Sequence, residues 1–243
     1  MISDNVASRI VQRGKIDIGV VHFERVNCLR DSLRSLVILV NTLSDAGLLN
    51  KLIVCDDSYR DETILEVENL CIQYGYEYRH TGGKRGLSIN NNLLLSESSG
   101  ETLLHLQDDF VLDSEYLGEF LDDIRNFLVN ENLVMLRLFN VNEASSSFEY
   151  SDTPHIKKQS FHDQIGRYPE YLPMHKAELL MKQKCKKVYT NNNISFSRVA
   201  FFYHIGEELS FNPSNIRDAR LRSLGLLGVY KFTSYLIKKC LGL

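Results

Sequence analysis

From Ile16 to Asp113, short apolar runs alternate with stretches of helical period, and only a few residues join one to the next. Ile16-Asp17-Ile18-Gly19-Val20-Val21-His22-Phe23 reads as a buried first strand. It leads through Glu24-Arg25 into residues 28–43, where Leu29, Leu33, Leu36, Val37, Val40 and Leu43 follow helical spacing. Lys51-Leu52-Ile53-Val54-Cys55 is a second strand, ending at Asp56-Asp57-Ser58. Residues 61–74 form a second helix with Gly75 as its stop. A third strand at 77–80, a flexible break at Gly82-Gly83 and a third helix at 87–96 follow. A strand through 103–106 then runs into Gln107-Asp108-Asp109, with a helix from about 114 to 130 and a further strand at 133–139. Strand–helix alternation with such short connections builds parallel βαβ units. The expected fold class is α/β, a mostly parallel sheet flanked by helices. Ligands of such sheets bind outside the carboxyl ends of the strands. Two of the strands end in Asp-Asp, so both acidic pairs are expected to face one crevice.

The sharper of the two pairs lies in Leu103-Leu104-His105-Leu106-Gln107-Asp108-Asp109-Phe110-Val111-Leu112-Asp113. There an apolar run ends in two adjacent carboxylates and then turns apolar again. Neighbouring charges at the edge of a core repel, and they are costly to desolvate unless something positive lies between them. A divalent cation with oxygen ligands answers that need; a plain surface turn after a strand is the competing reading.

Composition narrows the class. A chain of 243 residues with a net charge of −3 lacks the basic excess of a general nucleic-acid binder, so no nucleic-acid partner is expected. Cys28, Cys55, Cys71, Cys185 and Cys240 are odd in number and form no Cys-x-x-Cys pair. That spacing argues against a zinc site or a disulfide framework and for a reducing, cytoplasmic compartment. Residues 1–15 are polar, unlike a signal peptide, and no apolar run reaches the roughly 18 residues that span a bilayer.

Four segments are expected: an extension at 1–15, a nucleotide-binding half at 16–140, an acceptor-binding half at 141–210, and a tail at 211–243. Residues 142–164 are polar, Ser-rich and without a clear period, and loops of this length are usually functional or mobile. Pro154-His155-Ile156-Lys157-Lys158 within them reads as an acceptor lid or a solvated basic stretch. A helix is expected around 176–184, and strand material at Lys187-Val188-Tyr189 and at 194–203, ending in His204-Ile205-Gly206. The tail carries Arg217, Arg220, Arg222, Lys231, Lys238 and Lys239 around an apolar stretch at 224–237. It reads equally as an in-plane, peripheral membrane helix and as a C-terminal helix packed on the domain or on a second subunit of a homo-oligomer.

The ordered series of motifs resembles glycosyltransferase family 2, with the GT-A fold, over roughly residues 16–210. Val54-Cys55-Asp56-Asp57-Ser58-Tyr59-Arg60-Asp61 is similar to the family's V-D-D-x-S-x-D pattern, compressed at the usual glycine. Gly86-Leu87-Ser88-Ile89-Asn90-Asn91-Asn92 resembles its glycine followed by an Asn-bearing helix. Ser98-Ser99-Gly100-Glu101-Thr102 is the small-residue turn before the strand into D-x-D, here Gln107-Asp108-Asp109. Gln107 departs from the pattern by offering a carbonyl oxygen in place of a charge.

The resemblance implies a metal-assisted, inverting glycosyltransferase. It would move a sugar from a nucleotide diphosphate sugar to a hydroxyl of a glycan or lipid-linked glycan, as in bacterial surface polysaccharide synthesis. Asp109 would anchor Mn2+ or Mg2+, with His204 as a further ligand, and Asp108 would face the ribose or a metal-bound water. Asp56 would take a base N–H and Asp57 the ribose, although Asp57 and Ser58 also suit a helix N-cap. Phe23, Glu24 and Arg25 would occupy the base-pocket loop, Lys84 or Arg85 the diphosphate side, and one residue of the Asn run, Asn91, the crevice. Glu178 would be the catalytic base, with Asp163 and Glu170 as rivals. Two other readings stand beside this one. A nucleotidyltransferase would need a glycine-rich loop after the first strand, which residues 16–25 lack. A catalytically degenerate nucleotide- or sugar-binding module is motivated by Gln107.

Overall fold

The computed structural model describes residues 16–138 and 153–206, apart from 171, 191 and 198. The chain divides into two compact units, 1–203 and 204–243. The basic tail from residue 207 on, the 1–15 extension and residues 142–152 of the 142–164 loop lie outside the described residues. Among the described residues no helix is long and apolar enough to cross a membrane.

The elements follow in order as β1 (Ile16–His22), α1 (Val26–Asp45), β2 (Leu49–Asp56), α2 (Asp61–Tyr74), β3 (Glu77–His80) and α3 (Leu87–Glu97). Next come β4 (Thr102–Gln107), β5 (Phe110–Leu112), a 3-10 turn at Ser114–Tyr116, α4 (Leu117–Val129) and β6 (Met135–Arg137). The last are β7 (His155–Lys158), α5 (Ser160–Ile165), α6 (Met174–Val188), β8 (Ile194–Phe196) and β9 (Phe202–His204). A seven-stranded sheet runs β3-β2-β1-β4-β7-β6-β8, and β5 and β9 form a small second sheet. Strands β3, β2, β1 and β4 are mutually parallel, and β7 is antiparallel to both its neighbours.

Side chains alternate across the sheet with the strand period of two. Ile16, Ile18, Val20, Val54, Leu104 and Leu106 join Leu29, Leu33, Leu36, Val67, Leu70, Phe120 and Phe127 in a core beneath α1, α2 and α4. Val21, Ile53, Cys55 and Leu103 face the other way, against Leu94 of α3. Gly19 makes that second layer close, since a Cβ there would lie 2.4 Å from a Leu94 methyl. Further along the same sheet Met135, Phe161, Ile165, Met181 and Cys185 pack α5 and α6. Asp17 is buried at the amino end of β1, where it accepts hydrogen bonds from the Ser98 hydroxyl, the Ser99 and Gly100 amides and the Asn50 amide group. The small-residue turn before β4 is thereby fastened to β1. Cys28, Cys55, Cys71 and Cys185 are free thiols, all buried.

Three expectations are corrected. Pro154-His155-Ile156-Lys157-Lys158 is neither a lid nor a solvated stretch: its residues 155–158 are the interior strand β7, with Ile156 fully buried and Lys157 only 1 % exposed. A buried ammonium needs partners, and Lys157 Nζ donates to His105 Nδ1 at 3.0 Å and to the Tyr168 hydroxyl at 3.2 Å. Lys187-Val188 is the last turn of α6, not a strand, because burial of Met181 and Cys185 on one face carries the helix onward and the Tyr189 amide closes it on Cys185. Residues 194–203 are not one strand either. They are divided between β8 and β9, and the Ser197 hydroxyl closes the break on the Val199 carbonyl at 2.6 Å.

Lys157 also fixes the state of the histidines around it. Its donation to Nδ1 makes His105 a neutral ring whose Nε2–H donates to Asn91 Oδ1 at 3.1 Å. Burial, then Lys157 nearby, holds both His105 and His155 well below the ordinary histidine range. The unfolded chain protonates near pH 6.5 while the folded rings do not, so it binds more protons below that value. Stability is therefore complete above pH 6.5 and falls beneath it by about 1.4 kcal/mol per pH unit for each such ring. Urea unfolding between pH 8 and pH 5 should show a flat region and then this decline. His105→Gln should make the decline shallower; an unchanged slope would contradict the assignment.

Candidate active site

Strand order places the site. From β1 the chain steps outward through β2 to β3, then returns to build β4 on the other side of β1. The β1–β4 boundary is the point at which the order reverses, where open α/β sheets bind ligands beyond the carboxyl ends. His22 pairs with Asp56 on β2, and Val21 with Gln107 on β4, so all three strands end at one level.

Asp108 and Asp109 emerge at that level and are 1 % and 3 % exposed. Residues after β1 meet them. The Arg25 guanidinium spans the pair, with Nη1 donating to Asp109 Oδ2 at 2.6 Å and Nη2 donating to Asp108 Oδ1. His22 Nδ1 lies 2.6 Å from Asp108 Oδ2, and the Phe23 amide donates to the same oxygen at 3.3 Å. His22 Nε2 is buried without a hydrogen-bond partner. Burial works against the Arg25 charge, but Asp108 and Asp109 outweigh it and raise the guanidinium above its ordinary range.

The loop that aims Arg25 is strained. Glu24 has φ of 63°, a left-handed conformation in a non-glycine residue. Its side chain holds it there. Glu24 Oε1 accepts from the Tyr59 amide at 2.8 Å and the Arg60 amide at 3.2 Å, and Oε2 accepts from the Arg60 guanidinium. The carboxylate therefore serves the amino end of α2 from a different loop, while the Glu24 amide donates to the Ser58 hydroxyl. Burial alone would push the Glu24 carboxyl up, but these donors lower it overall.

Asp56 is fully buried, with Oδ1 accepting from the Ser58 amide and hydroxyl and Oδ2 from the Tyr78 hydroxyl. Asp57 does not cap α2. It gathers the 81–86 loop instead, accepting from the Thr81 hydroxyl and from the Arg85 and Gly86 amides at 2.8 and 2.7 Å. Gly83, with φ of 84°, lets this loop close down: a Cβ there would lie 2.8 Å from the Ser58 carbonyl oxygen. Arg85 is exposed, and Lys84 lies over the Tyr59 ring at 5.3 Å.

The three asparagines of α3 are all buried, and each serves a different element. Asn90 donates to the His22 carbonyl at 3.0 Å at the tip of β1. Asn91 accepts from His105 inside the sheet. Asn92 donates to the Tyr168 carbonyl and to Glu170 Oε1, both at 2.9 Å, and accepts from the Tyr168 amide. Glu170 is thus tied to α3. Glu178 lies on α6 and pairs with Lys182 at 3.7 Å. Asp163 lies elsewhere, lining a cavity of about 260 Å3 with Leu103 and Lys157 near the amino end of β4. His204 is half-buried at the end of β9 and is the first residue of the second compact unit.

Asp108 and Asp109 offer hard oxygen ligands that fit a divalent ion by their chemistry. Among the described residues no set of three or more His, Cys, Asp or Glu side chains converges as a metal cluster. Two carboxylates still fit Mg2+-like ions, which commonly take one or two carboxylates and complete their shell with substrate phosphates and water. The structure brings Phe23, Arg25 and Asp108 together with Asp109, and sets Asp56 and Asp57 on the neighbouring strand end. Sequence reasoning placed Glu24 in the base-pocket loop without a role of its own, and gave His22 and Asn90 no particular role. An acid in the short link between strand and helix is the signal that could have pointed to a clasp by Glu24.

The sequence model described as "Glycosyl transferase family 2" matches residues 17–188. No curated protein sequence matches the chain. Among solved structures, a mannosyltransferase from Pyrobaculum calidifontis in complex with GDP-Man and Mn2+ is similar with a TM-score of 0.64 and 11% identity, covering 93% of this chain and 70% of that one. Glucosyl-3-phosphoglycerate synthase from Mycobacterium tuberculosis, in complex with Mn2+, UDP and glucosyl-3-phosphoglycerate, gives 0.62 and 13%, covering 91% and 83%. S. aureus TarS gives 0.58 and 19%, covering 80% of this chain and 37% of that one. These likenesses are to the GT-A fold.

The Glu24 clasp has a measurable cost. Removing the Glu24 carboxylate leaves the Tyr59 and Arg60 amides without their acceptor, whereas the half-exposed Arg60 guanidinium returns to water. Glu24→Ala should destabilise the protein by about 2 kcal/mol in urea unfolding, and a loss below about 0.5 kcal/mol would contradict the clasp.

Proposed function

The chain belongs to glycosyl transferase family 2, and from that premise we propose that it moves a sugar from a nucleotide diphosphate sugar to a hydroxyl of a glycan or lipid-linked glycan acceptor, with inversion at the sugar carbon. The observation that carries the reading is the convergence of Asp108 and Asp109 with the β1 loop at the reversal of strand order. A divalent ion, Mn2+ or Mg2+, held by Asp109 with Asp108, would stabilise the charge that develops on the diphosphate leaving group.

The chain's own residues do the rest. Phe23 and Tyr59, whose ring centroids are 6.3 Å apart, flank the entrance to the base pocket. Asp56 and Asp57 form its floor and the wall toward the ribose. Arg85, exposed just before the amino end of α3, faces the diphosphate as a bidentate donor. The acceptor hydroxyl gives its proton to Glu178, the acid at the position where the family pattern has its base. The hydrogen bond from Asn92 supports Glu170 as a second reading for that role. The basic and apolar composition of residues 217–243 supports an acceptor presented at a membrane surface, as in polysaccharide assembly.

Thermal unfolding with UDP, GDP and their sugars, each with and without Mn2+, tests the reading. A bound nucleotide stabilises by mass action, about 2.7 kcal/mol at a hundred times its Kd. One nucleotide should stabilise in a metal-dependent way. Asp109→Asn should remove the metal dependence and slow donor hydrolysis by roughly 100-fold or more. Absence of both nucleotide stabilisation and donor hydrolysis would overturn the proposal.

A further inference from the structure

Three of the four oxygens of the acidic pair already accept hydrogen bonds. Arg25 places one guanidinium nitrogen on Asp109 Oδ2 and the other on Asp108 Oδ1. We propose that Arg25 is a resident counter-cation of the Asp108–Asp109 pair, which a divalent ion must displace and which the donor's diphosphate draws away, so that metal and nucleotide bind cooperatively. This inference rests on the glycosyltransferase reading above.

Position supports an exchangeable partner. The second contact of Asp108, from His22, comes from the rigid tip of β1 and stays in place during such an exchange. Arg25 differs from His22 in position. It follows the strand end, at the N-cap of α1, and its side chain keeps 15% of its surface exposed while Asp108 keeps 1%. A flexible side chain on the solvent side of a buried acid can leave without unfolding anything.

Geometry also says where it goes. The guanidinium fork that spans two carboxylate oxygens equally suits two phosphate oxygens. Without nucleotide, an incoming ion must break two charge-assisted hydrogen bonds and leave Arg25 with no anion. With nucleotide, the diphosphate accepts Arg25 and gives the ion further oxygen ligands. Each ligand then raises the other's affinity by the same factor.

Mn2+ binding, followed by electron paramagnetic resonance of the free ion, tests this directly. Arg25→Gln without nucleotide should bind Mn2+ at least tenfold more tightly than the wild type. Adding UDP or GDP, with complexation by the nucleotide itself subtracted, should raise Mn2+ affinity by a larger factor in the wild type than in the variant. Equal or weaker Mn2+ binding by Arg25→Gln would overturn the proposal. Arg25→Lys keeps the charge but loses the fork. Should the Gln variant fail to fold, Arg25→Lys must bind Mn2+ at least threefold more tightly than the wild type, and no gain overturns the proposal. Asp109→Asn added to the variant that folds separates the two claims. Loss of Mn2+ binding there keeps the carboxylate pair as the metal anchor, so a missing Arg25 effect then sinks the competition alone. Persistent binding sinks the anchor and the competition with it.

Discussion

Two carboxylates side by side with almost no access to water are the constraint around which the crevice is arranged. Asp108 and Asp109 follow β4 directly and are almost fully buried. Two like charges 4 Å apart repel by roughly 4 kcal/mol at an effective dielectric of 20. The chain answers with donors from β1 and the loop after it: the His22 ring, the Phe23 amide and the Arg25 guanidinium. That answer requires β1 and β4 to be neighbours, which the reversal of strand order provides. The requirement for positive charge at the acids and the topology of the sheet thus select the same place.

The loops around the crevice are held by polar clasps rather than by apolar packing. Glu24 reaches from the β1 loop to the amides that open α2, Asp57 gathers the 81–86 loop, and Asn92 ties the segment at Tyr168 and Glu170 to α3. Each clasp satisfies backbone donors or acceptors that a loop would otherwise leave to water. Each also fixes the direction of a neighbouring side chain. The left-handed Glu24 is the clearest case, because the strain it holds is what turns Arg25 toward the acids.

Most of residues 16–138 was legible in the sequence, because the strands there are continuous apolar runs and the helices have clean apolar faces. Buried parallel strands read this way when both of their faces are covered. Strand β7 was hidden because His155, Lys157 and Lys158 look like solvent-facing residues. The ring nitrogen of His105 and the hydroxyl of Tyr168, partners that no local pattern announces, help make burial of Lys157 tolerable. The Asn run offered no way to assign its members, since the element each one meets comes from another part of the chain. Likewise the acids at 56–57 and 108–109 could be named as strand ends, but nothing local showed that Arg25 would bridge the second pair. Side-chain partners across long sequence separations set the site, and period and composition carry no record of them.

The central claim is that the Asp108–Asp109 pair is the anchor for the donor's metal-bound diphosphate. Anomalous scattering at the manganese edge, from crystals grown with Mn2+ and the stabilising nucleoside diphosphate, tests it most directly. The account predicts a manganese peak at roughly 2.1–2.2 Å from an Asp109 carboxylate oxygen, with Arg25 withdrawn from the pair and turned to the phosphates. A nucleotide bound with no manganese at Asp109, and with Arg25 still bridging the two carboxylates, would contradict it.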